Sequence, residues 1–128
     1  MNTLSKTKLA RLGEDIAAMY LVNKGYSLIC RNYRTPQGEI DLIVDKDQQL
    51  VFVEVKTRSY RSLDSALASV SFRKQTHITK VAQSYCNLNP RFDQHNTRFD
   101  VIVAFFDAAS QSFSVEHFED AFIPTDIS

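Results

Sequence analysis

The sequence of 128 residues has little of what interrupts or crosslinks a chain: three glycines, three prolines and two cysteines. So few glycines and prolines leave little room for long linkers, and no internal repeat or low-complexity segment is present. We therefore expect a single domain over residues 1–122 and a loose tail at 123–128. Cys30 and Cys86 have neither the density of a disulfide scaffold nor metal-ligand spacing, so we interpret both as packing residues.

The sequence also lacks long hydrophobic runs and a net charge. No stretch of about twenty apolar residues exists, and the first six residues lack the apolar core of a signal peptide. We expect no membrane or export segment, and a cytoplasmic location. Fifteen Lys and Arg balance fifteen Asp and Glu, which is unusual for a domain that binds nucleic acid strongly. However, cations dominate residues 1–34, and such a basic third suits a phosphate backbone, although solvated faces without a ligand show the same segregation.

The centre of the sequence is a pair of alternating, β-branched segments, residues 38–45 and 50–58, joined by a polar turn. This pattern predicts two paired strands. Side chains two positions apart share a face of a strand, so two acids point one way on the first strand, and an acid and a lysine share a face on the second. These residues are Glu39, Asp41, Glu54 and Lys56.

Carboxylates in the middle of apolar strands must be paired, neutralised or bound to a metal. Asp and Glu oxygens suit Mg²⁺ or Mn²⁺, so the cluster predicts a site for such an ion. In the alternative interpretation, Lys56 and Arg58 only neutralise Asp41 and Glu54 in a solvated ladder of cross-strand pairs.

Two stretches have helical spacing. Over residues 5–24, apolar side chains recur at intervals of three and four, at Leu9, Leu12, Ile16, Met19 and Tyr20, and Gly25 is placed to end the helix. A second helical segment breaks near residues 69–71. Its second half has Ser71 as N-cap and an apolar stripe at Ile78, Val81, Ala82, Tyr85 and Leu88.

Three further strands are predicted around these elements. Residues 26–34 alternate, 98–106 form a nearly continuous apolar run typical of a strand covered on both faces, and 112–118 alternate as an edge strand. A long helix before the apolar run permits parallel pairing there. The order α, β, β, β, α, β, β predicts an α/β layer with a mixed sheet.

Several charged residues outside the central strands have two interpretations each. Glu14 follows Gly13 and has alanines one helical turn away, so the helix can approach a sheet there and the carboxylate can lean toward Asp41; otherwise it is a surface glutamate. Arg31 and Arg34 either contact phosphates or solvate the ends of a strand.

Two cations, Arg73 and Lys74, lie in the first turn of the second helix, where they oppose the helix dipole. This arrangement indicates an anionic partner, although a solvated surface also tolerates it. The three histidines lack companions at metal-ligand spacing, and we assign none of them to chemistry.

The spacing of Asp41, twelve residues and then Glu54-Val55-Lys56 resembles the D-X(n)-E-X-K active site of the PD-(D/E)XK nuclease superfamily. More narrowly, the chain is similar to the YraN family of predicted endonucleases, which are related to Holliday junction resolvases. The motifs that carry this likeness are Gly13-Glu14 with Ala17, residues 31–34, residues 38–41 and residues 52–58. Two positions depart from the pattern: Ile40 stands where the superfamily name has proline, and no glycine follows Arg58.

This resemblance implies a restriction-endonuclease-like α-β-β-β-α-β core with a mixed β-sheet flanked by helices. It implies a Mg²⁺ (or Mn²⁺) ion held by Asp41, Glu54 and the backbone carbonyl of Val55. Lys56 would position the attacking water or stabilise developing charge, and Glu14 would orient a water or a second ion. Glu39 is an auxiliary residue. The expected nucleic-acid contacts are Arg31, Arg34, Arg58 and Lys74.

The function that these expectations favour is a metal-dependent endonuclease that hydrolyses DNA phosphodiester bonds, with branched or junction DNA among its substrates. Symmetric cuts need two sites, so a homodimer is the expected assembly. We expect no nucleotide cofactor and no membrane partner. Two alternatives stay open: a nucleic-acid-binding module that keeps a nuclease-like fold but does not cut, and a protein-interaction domain.

Overall fold

The protein is described by a computed structural model over residues 5–59 and 71–122. In chain order the elements are α1 (Lys6–Asn23), β1 (Ser27–Thr35), β2 (Gly38–Lys46), β3 (Gln49–Arg58), α2 (Phe72–Leu88), β4 (Asn96–Asp107) and β5 (Ser112–Phe118). A short 3-10 turn, Pro90–Phe92, precedes β4. The predicted order of elements is confirmed. The helical part predicted before residue 71 and the tail predicted at 123–128 lie outside the described residues.

All five strands form one sheet in the order β1-β2-β3-β4-β5. Neighbouring strands are antiparallel except β3 and β4, which pair in parallel from Gln49 opposite Asn96 to Arg58 opposite Phe105. Parallel pairing needs a long crossover, and α2 lies in the connection that supplies it. The predicted parallel pair and the predicted edge position of β5 are both confirmed, so the fold is a mixed α/β layer with helices against the sheet.

The helices cover opposite faces of the sheet. Leu50 and Phe52 of β3 belong to the core that α2 covers, whereas Val51 and Val53 belong to the core that α1 covers. This is the alternation expected of a strand buried on both faces. Burying each such side chain stabilises the fold by about 1.5–3 kcal/mol. On α2, the buried stripe ends at Tyr85, so the predicted inclusion of Leu88 was wrong: that residue is 70% exposed.

The apolar stripe predicted for α1 was wrong in part: Leu9, Ile16 and Tyr20 are half-buried, and Tyr20 packs against the core, but these residues do not form the buried face. The buried residues of this helix are Gly13, Ala17, Ala18 and Leu21, while Leu12 and Met19 are exposed. The reason is close packing: a Cβ at Gly13 would overlap with the side chain of Thr57 on β3, so α1 approaches the sheet through small residues. Large side chains at the predicted positions would hold the helix too far away.

Strict alternation along β1 was also wrong. The register between β1 and β2 shifts between Leu28 and Cys30, and Ile29 and Cys30 both pack against the core under α2. Irregularities of this kind add one residue to a strand and turn the following side chains over. Cys30 and Cys86 are free and packed against the same core, as predicted.

Asp100 is a fully buried carboxylate in the apolar strand β4. Arg98 donates to both of its oxygens at 2.8 Å, His117 Nε2 lies 2.7 Å away and the amide of Asp120 donates at 2.9 Å. Burial raises the pKa of Asp100, but these hydrogen bonds outweigh it and lower the pKa below its ordinary value. Tyr20 OH lies 3.2 Å from His117 Nδ1, so the network joins α1, β4 and β5.

Candidate active site

The pairing of β2 with β3 runs from Lys46 opposite Gln49 to Leu42 opposite Val53. One position further, Asp41 Oδ2 accepts a hydrogen bond from the main-chain N–H of Val55 at 2.8 Å. The carboxylate therefore takes the role that a strand carbonyl has elsewhere in the sheet. This bond holds Asp41 at the end of the β2–β3 ladder, next to Glu54.

A cavity of about 580 Å³ opens at this end of the sheet. Both helices contribute to its walls, with Lys6 and Glu14 from α1 and Lys74 from α2. The structure thus brings together in one cavity the residues that were predicted from the sequence to act in catalysis or metal binding. These are Glu14, Asp41, Glu54, Val55 and Lys56. Arg58, a predicted nucleic-acid contact, lines the same cavity, and its Nη1 donates to the carbonyl of Thr57 at 2.9 Å.

Glu54 is the most buried acid of the cavity, with a side chain only 7% exposed. Lys56 Nζ lies 3.3 Å from its Oε1, and Lys74 Nζ contacts the same oxygen. Lys74 sits in the first turn of α2, where Ser71 Oγ accepts a hydrogen bond from its main-chain N–H. The anionic partner predicted for this helix start is therefore a carboxylate of the chain itself.

Proton affinities in the cavity depart from their ordinary values. Burial, followed by the charge of Glu54, raises the pKa of Asp41 from 3.8 to about 7, although the Val55 hydrogen bond opposes this. Burial and the neighbouring Lys74 ammonium lower the pKa of Lys56, against the attraction of Glu54. Burial also lowers the pKa of Lys74, but its hydrogen bond to Glu54 prevails, so the net shift is upward. Perturbed groups gathered in one cavity are typical of functional sites.

Glu14 reaches the cavity because α1 lies so close to β3 at Gly13. Its side chain is 20% exposed, Arg31 Nη2 lies 3.8 Å from its Oε1, and its charge adds to the rise in the pKa of Asp41. Glu14 thus lines the same cavity as Asp41 and is near enough for its charge to act on that carboxyl. The predicted surface alternative, a glutamate without partners, does not describe it.

Asn32 is a site-adjacent residue that the residue patterns did not single out. It lies opposite Asp41 in the register of β1 and β2 and has a positive φ of 52°. With its amide nitrogen facing the acids, it donates to Glu39 Oε1 at 2.9 Å and to Glu14 Oε1 at 3.2 Å. An asparagine inside a strand was the available signal, because asparagine is depleted in strands but tolerates positive φ. Because Asn32 donates to both carboxylates, Glu39 neighbours Glu14 rather than Glu54. Glu39 also pairs with Arg34 at 3.2 Å.

A second cavity, of about 690 Å³, adjoins the first and shares Lys6, Ala10 and Glu14 with it. Its cationic lining is Lys6, Arg11, Arg31 and Arg34. Arg31 also contacts Asp15 at 2.8 Å, and Arg34 contacts Glu39. The two arginines predicted to contact phosphate therefore lie beside the candidate active site, Arg31 with Asp15 and Glu14 as partners and Arg34 with Glu39.

The donor set of the first cavity suits a hard divalent cation. Within residues 5–59 and 71–122, no three His, Cys, Asp or Glu side chains lie close enough together to hold a metal ion. Asp41 and Glu54, whose charges repel each other, instead form a pair of oxygen donors beside the main chain of Val55. Magnesium is commonly bound through one or two carboxylates and keeps several waters, so this smaller set fits it.

In the part of the chain that the structure describes, no helix has the length and hydropathy needed to cross a membrane. Among solved structures, the chain is similar to one described as the structure of Pyrococcus furiosus SfsA in complex with Ca²⁺. The sequence identity is 14% and the TM-score 0.41, over 85% of this chain and 63% of that one.

Among known proteins, a UPF0102 protein of Chlorobium limicola is 44% identical over 118 residues, which are 89% of this chain and 91% of that protein. A UPF0102 protein of Caldicellulosiruptor bescii is 37% identical over 115 residues, 90% of this chain and 97% of that protein. The profile of the family described as "Uncharacterised protein family UPF0102" matches residues 13–104. The chain therefore belongs to the UPF0102 family, to which the YraN resemblance of its motifs also points.

Proposed function

We propose that this protein is a divalent-metal-dependent endonuclease that hydrolyses DNA phosphodiester bonds, and that its fold is the restriction-endonuclease-like core of the PD-(D/E)XK superfamily. The observation that carries the proposal is the convergence of Asp41, Glu54 and Lys56 in one cavity. Asp41 comes from β2, whereas Glu54 and Lys56 come from β3, and the Asp41 carboxylate is fixed there by the amide of Val55. An acid, acid and lysine set of this kind matches the D-X(n)-E-X-K pattern.

Asp41, Glu54 and the backbone carbonyl of Val55 would hold Mg²⁺ or Mn²⁺. Such an ion, when bound, polarises a phosphoryl oxygen and lowers the pKa of an attacking water. Lys56 would stabilise the charge that develops on the phosphate oxygens, because its ammonium is held in a partly buried site where electrostatic stabilisation is strong. Glu14 would accept a hydrogen bond from the attacking water and so orient it. Asn32, which donates to both Glu14 and Glu39, would hold Glu14 in place.

The second cavity would carry the DNA backbone next to the scissile phosphate. Its cations lie on α1 and β1, and it shares Lys6 and Glu14 with the first cavity, so a strand of DNA can pass from one to the other. Branched DNA as substrate, a homodimer as the active assembly and a cytoplasmic location follow from the family resemblance and from the sequence, and they complete the proposal.

The decisive experiment combines metal binding with cleavage. Thermal unfolding with and without Mn²⁺ should show a higher midpoint for wild type, because the cation binds the folded carboxylate pair. Linear, flapped and four-way DNA should then be cut in the presence of Mg²⁺ or Mn²⁺ and not with EDTA. Asp41→Asn should abolish both effects. Asp47→Asn, the same change at an exposed turn residue, is the matched control and should behave like wild type.

The outcomes separate the alternatives. If wild type and Asp41→Asn respond alike to saturating Mn²⁺, the acids are structural and the site assignment is wrong. Binding of DNA without any metal-dependent cutting would favour the non-catalytic nucleic-acid-binding module. Absence of DNA binding at low salt would favour an interaction domain.

A further inference from the structure

Two lysines from different elements meet at one oxygen of Glu54. Lys56 reaches Oε1 from β3 itself, and Lys74 reaches the same atom from the start of α2. The two side chains differ in exposure: Lys56 is 13% exposed, whereas Lys74 is 39% exposed. Lys74 is therefore the ammonium nearer to solvent.

The charges around Lys74 make its contact with Glu54 exchangeable. The positive charge of Lys74 contributes to lowering the pKa of Lys56, so Glu54 is shared between two cations that oppose each other. A partly exposed ammonium also regains hydration when it leaves a carboxylate, which makes the net loss of free energy small compared with that of a fully buried pair. The flexible lysine stem lets the ammonium move while α2 stays in place.

We propose that Lys74 is a second catalytic lysine, which exchanges Glu54 for the scissile phosphate when a divalent cation binds the Glu54 carboxylate. The Lys74–Glu54 ion pair would give way to two contacts: Glu54 would hold the divalent cation, and the Lys74 ammonium would contact a phosphodiester oxygen. No covalent bond changes in this step. The contact with phosphate rests on the proposed nuclease function, whereas the competition with the cation rests only on the geometry at Glu54.

The exchange predicts effects of opposite sign when Lys74 is removed. Metal affinity should rise, because a competing positive charge next to the carboxylate is gone. Cleavage should fall, because the phosphate loses a cation in its transition state. If Lys74 only supported α2, its removal would change the stability of the protein and leave the metal affinity of the folded protein unchanged.

The test is a Mn²⁺ titration by isothermal calorimetry without DNA, followed by single-turnover cleavage. Lys74→Met should bind Mn²⁺ with a roughly three- to tenfold lower Kd and cut on the order of 10²-fold more slowly. Arg73→Met is the matched control, because it removes the same charge from the adjacent, exposed position and should do neither. Lys74→Arg keeps the cation and should retain wild-type Mn²⁺ affinity. Should Lys74→Met fail to fold by circular dichroism, Lys74→Gln replaces it.

Two results would overturn the proposal. Mn²⁺ affinity that is unchanged or weaker in Lys74→Met would mean that the lysine orients Glu54 for the ion instead of competing with it. Equal cleavage rates for Lys74→Met and Arg73→Met would mean that Lys74 does not contact the scissile phosphate. If wild type binds Mn²⁺ but cuts no DNA, the nuclease proposal fails, while the Mn²⁺ titration still decides whether Lys74 competes for Glu54.

Discussion

The carboxylate of Asp41 accepts a hydrogen bond from the main-chain N–H of Val55 at 2.8 Å, beyond the last paired residues of β2 and β3, Leu42 and Val53. One bond thus extends the sheet and holds a catalytic candidate beside Glu54. Asparagine at this position keeps an oxygen acceptor for Val55 but cannot carry a negative charge. The structural and electrostatic roles of Asp41 can therefore be separated by a single substitution.

Asp41→Asn should stabilise the metal-free protein at pH 8. Since the pKa of Asp41 is raised from 3.8 to about 7 in the folded state, the unfolded chain releases this proton first, and stability falls as pH rises between about 4 and 7. Each pKa unit corresponds to about 1.36 kcal/mol, which limits the gain in free energy of unfolding to about 4 kcal/mol.

Denaturant unfolding in EDTA at pH 4, 6 and 8 measures this effect. The gain should be absent at pH 4, where Asp41 is protonated in wild type, and largest at pH 8. Asp47→Asn provides the control, because this exposed turn residue lies outside the cavity. A constant difference in free energy of unfolding between wild type and Asp41→Asn at all three pH values would show that the charge on Asp41 does not destabilise the folded protein.

Gly13→Ala should destabilise the protein although alanine favours helices by about 1 kcal/mol over glycine. The added Cβ overlaps with the side chain of Thr57, and overpacking of this kind costs roughly 1–3 kcal/mol. Thr57→Ala removes the nearest atom, so the double variant should recover part of the loss. Additive effects of the two substitutions on the free energy of unfolding would contradict the close approach of α1 to β3.

This contact also explains which parts of the fold could be predicted from sequence. Alternation along β3 is a local property, so it predicted that Glu54 and Lys56 share a face. Local patterns in the other segments predicted the order of the elements in the same way. The buried face of α1 depends on how near the helix comes to the sheet, and small residues such as Ala17 give a weak hydrophobic signal. The more hydrophobic Leu12 and Met19 therefore predicted the wrong stripe.

The candidate site also has a part that the sequence could predict and a part that it could not. Asp41, Glu54 and Lys56 lie within sixteen residues of sequence on adjacent strands, so their proximity follows from the hairpin. Lys74 reaches Glu54 only because the crossover returns α2 to this end of the sheet, which is a long-range property. The sequence indicated an anionic partner near Lys74 through the helix dipole, but it could not identify Glu54 as that partner. The bulge in β1, which affects which side chains face Asp41, left no pattern either.

The double variant Arg31→Ala, Arg34→Ala should bind four-way DNA more weakly than wild type, with a smaller dependence on salt. Each lost phosphate contact should reduce the slope of log K against log salt by about 0.9, because fewer counterions are released. Lys8→Ala combined with Lys80→Ala removes the same charge from α1 and α2 outside the second cavity and should change the slope less. If the two double variants weaken binding equally, the cavity is not the DNA contact and only net charge matters.

Asp100→Asn should lower the free energy of unfolding at pH 7 by roughly 3–5 kcal/mol, since it leaves Arg98 buried without its carboxylate. The pKa of Asp100 is lowered in the folded state, so its contribution is present above the unfolded value of about 3.9 and is lost as pH falls through the folded pKa. The gap between wild type and variant should therefore close in strong acid. Calorimetry at pH 7 and below pH 3 tests this, with the exposed Asp107→Asn as control; a gap that widened in acid would contradict the network.

Lys56→Ala should separate binding from chemistry. An ammonium that stabilises charge mainly in the transition state contributes little to holding DNA, so the DNA affinity should stay near wild type. Losing one such stabiliser typically costs roughly 2.7–4 kcal/mol, or on the order of 10²–10³ in rate. Lys46→Ala removes the same charge from the end of β2, where Lys46 Nζ donates to the carbonyl of Lys24, and serves as the control.

The measurement is single-turnover cleavage at saturating enzyme, after wild-type cutting has been shown above a contamination control and shown to depend on added Mg²⁺ or Mn²⁺. In the metal-free Lys56→Ala variant, Lys74 still pairs with Glu54, so the substitution leaves no unpaired buried carboxylate. A rate equal to that of wild type would mean that Lys56 is only a charge partner of Glu54. The likeness to the E-X-K motif would then have no mechanistic meaning in this protein.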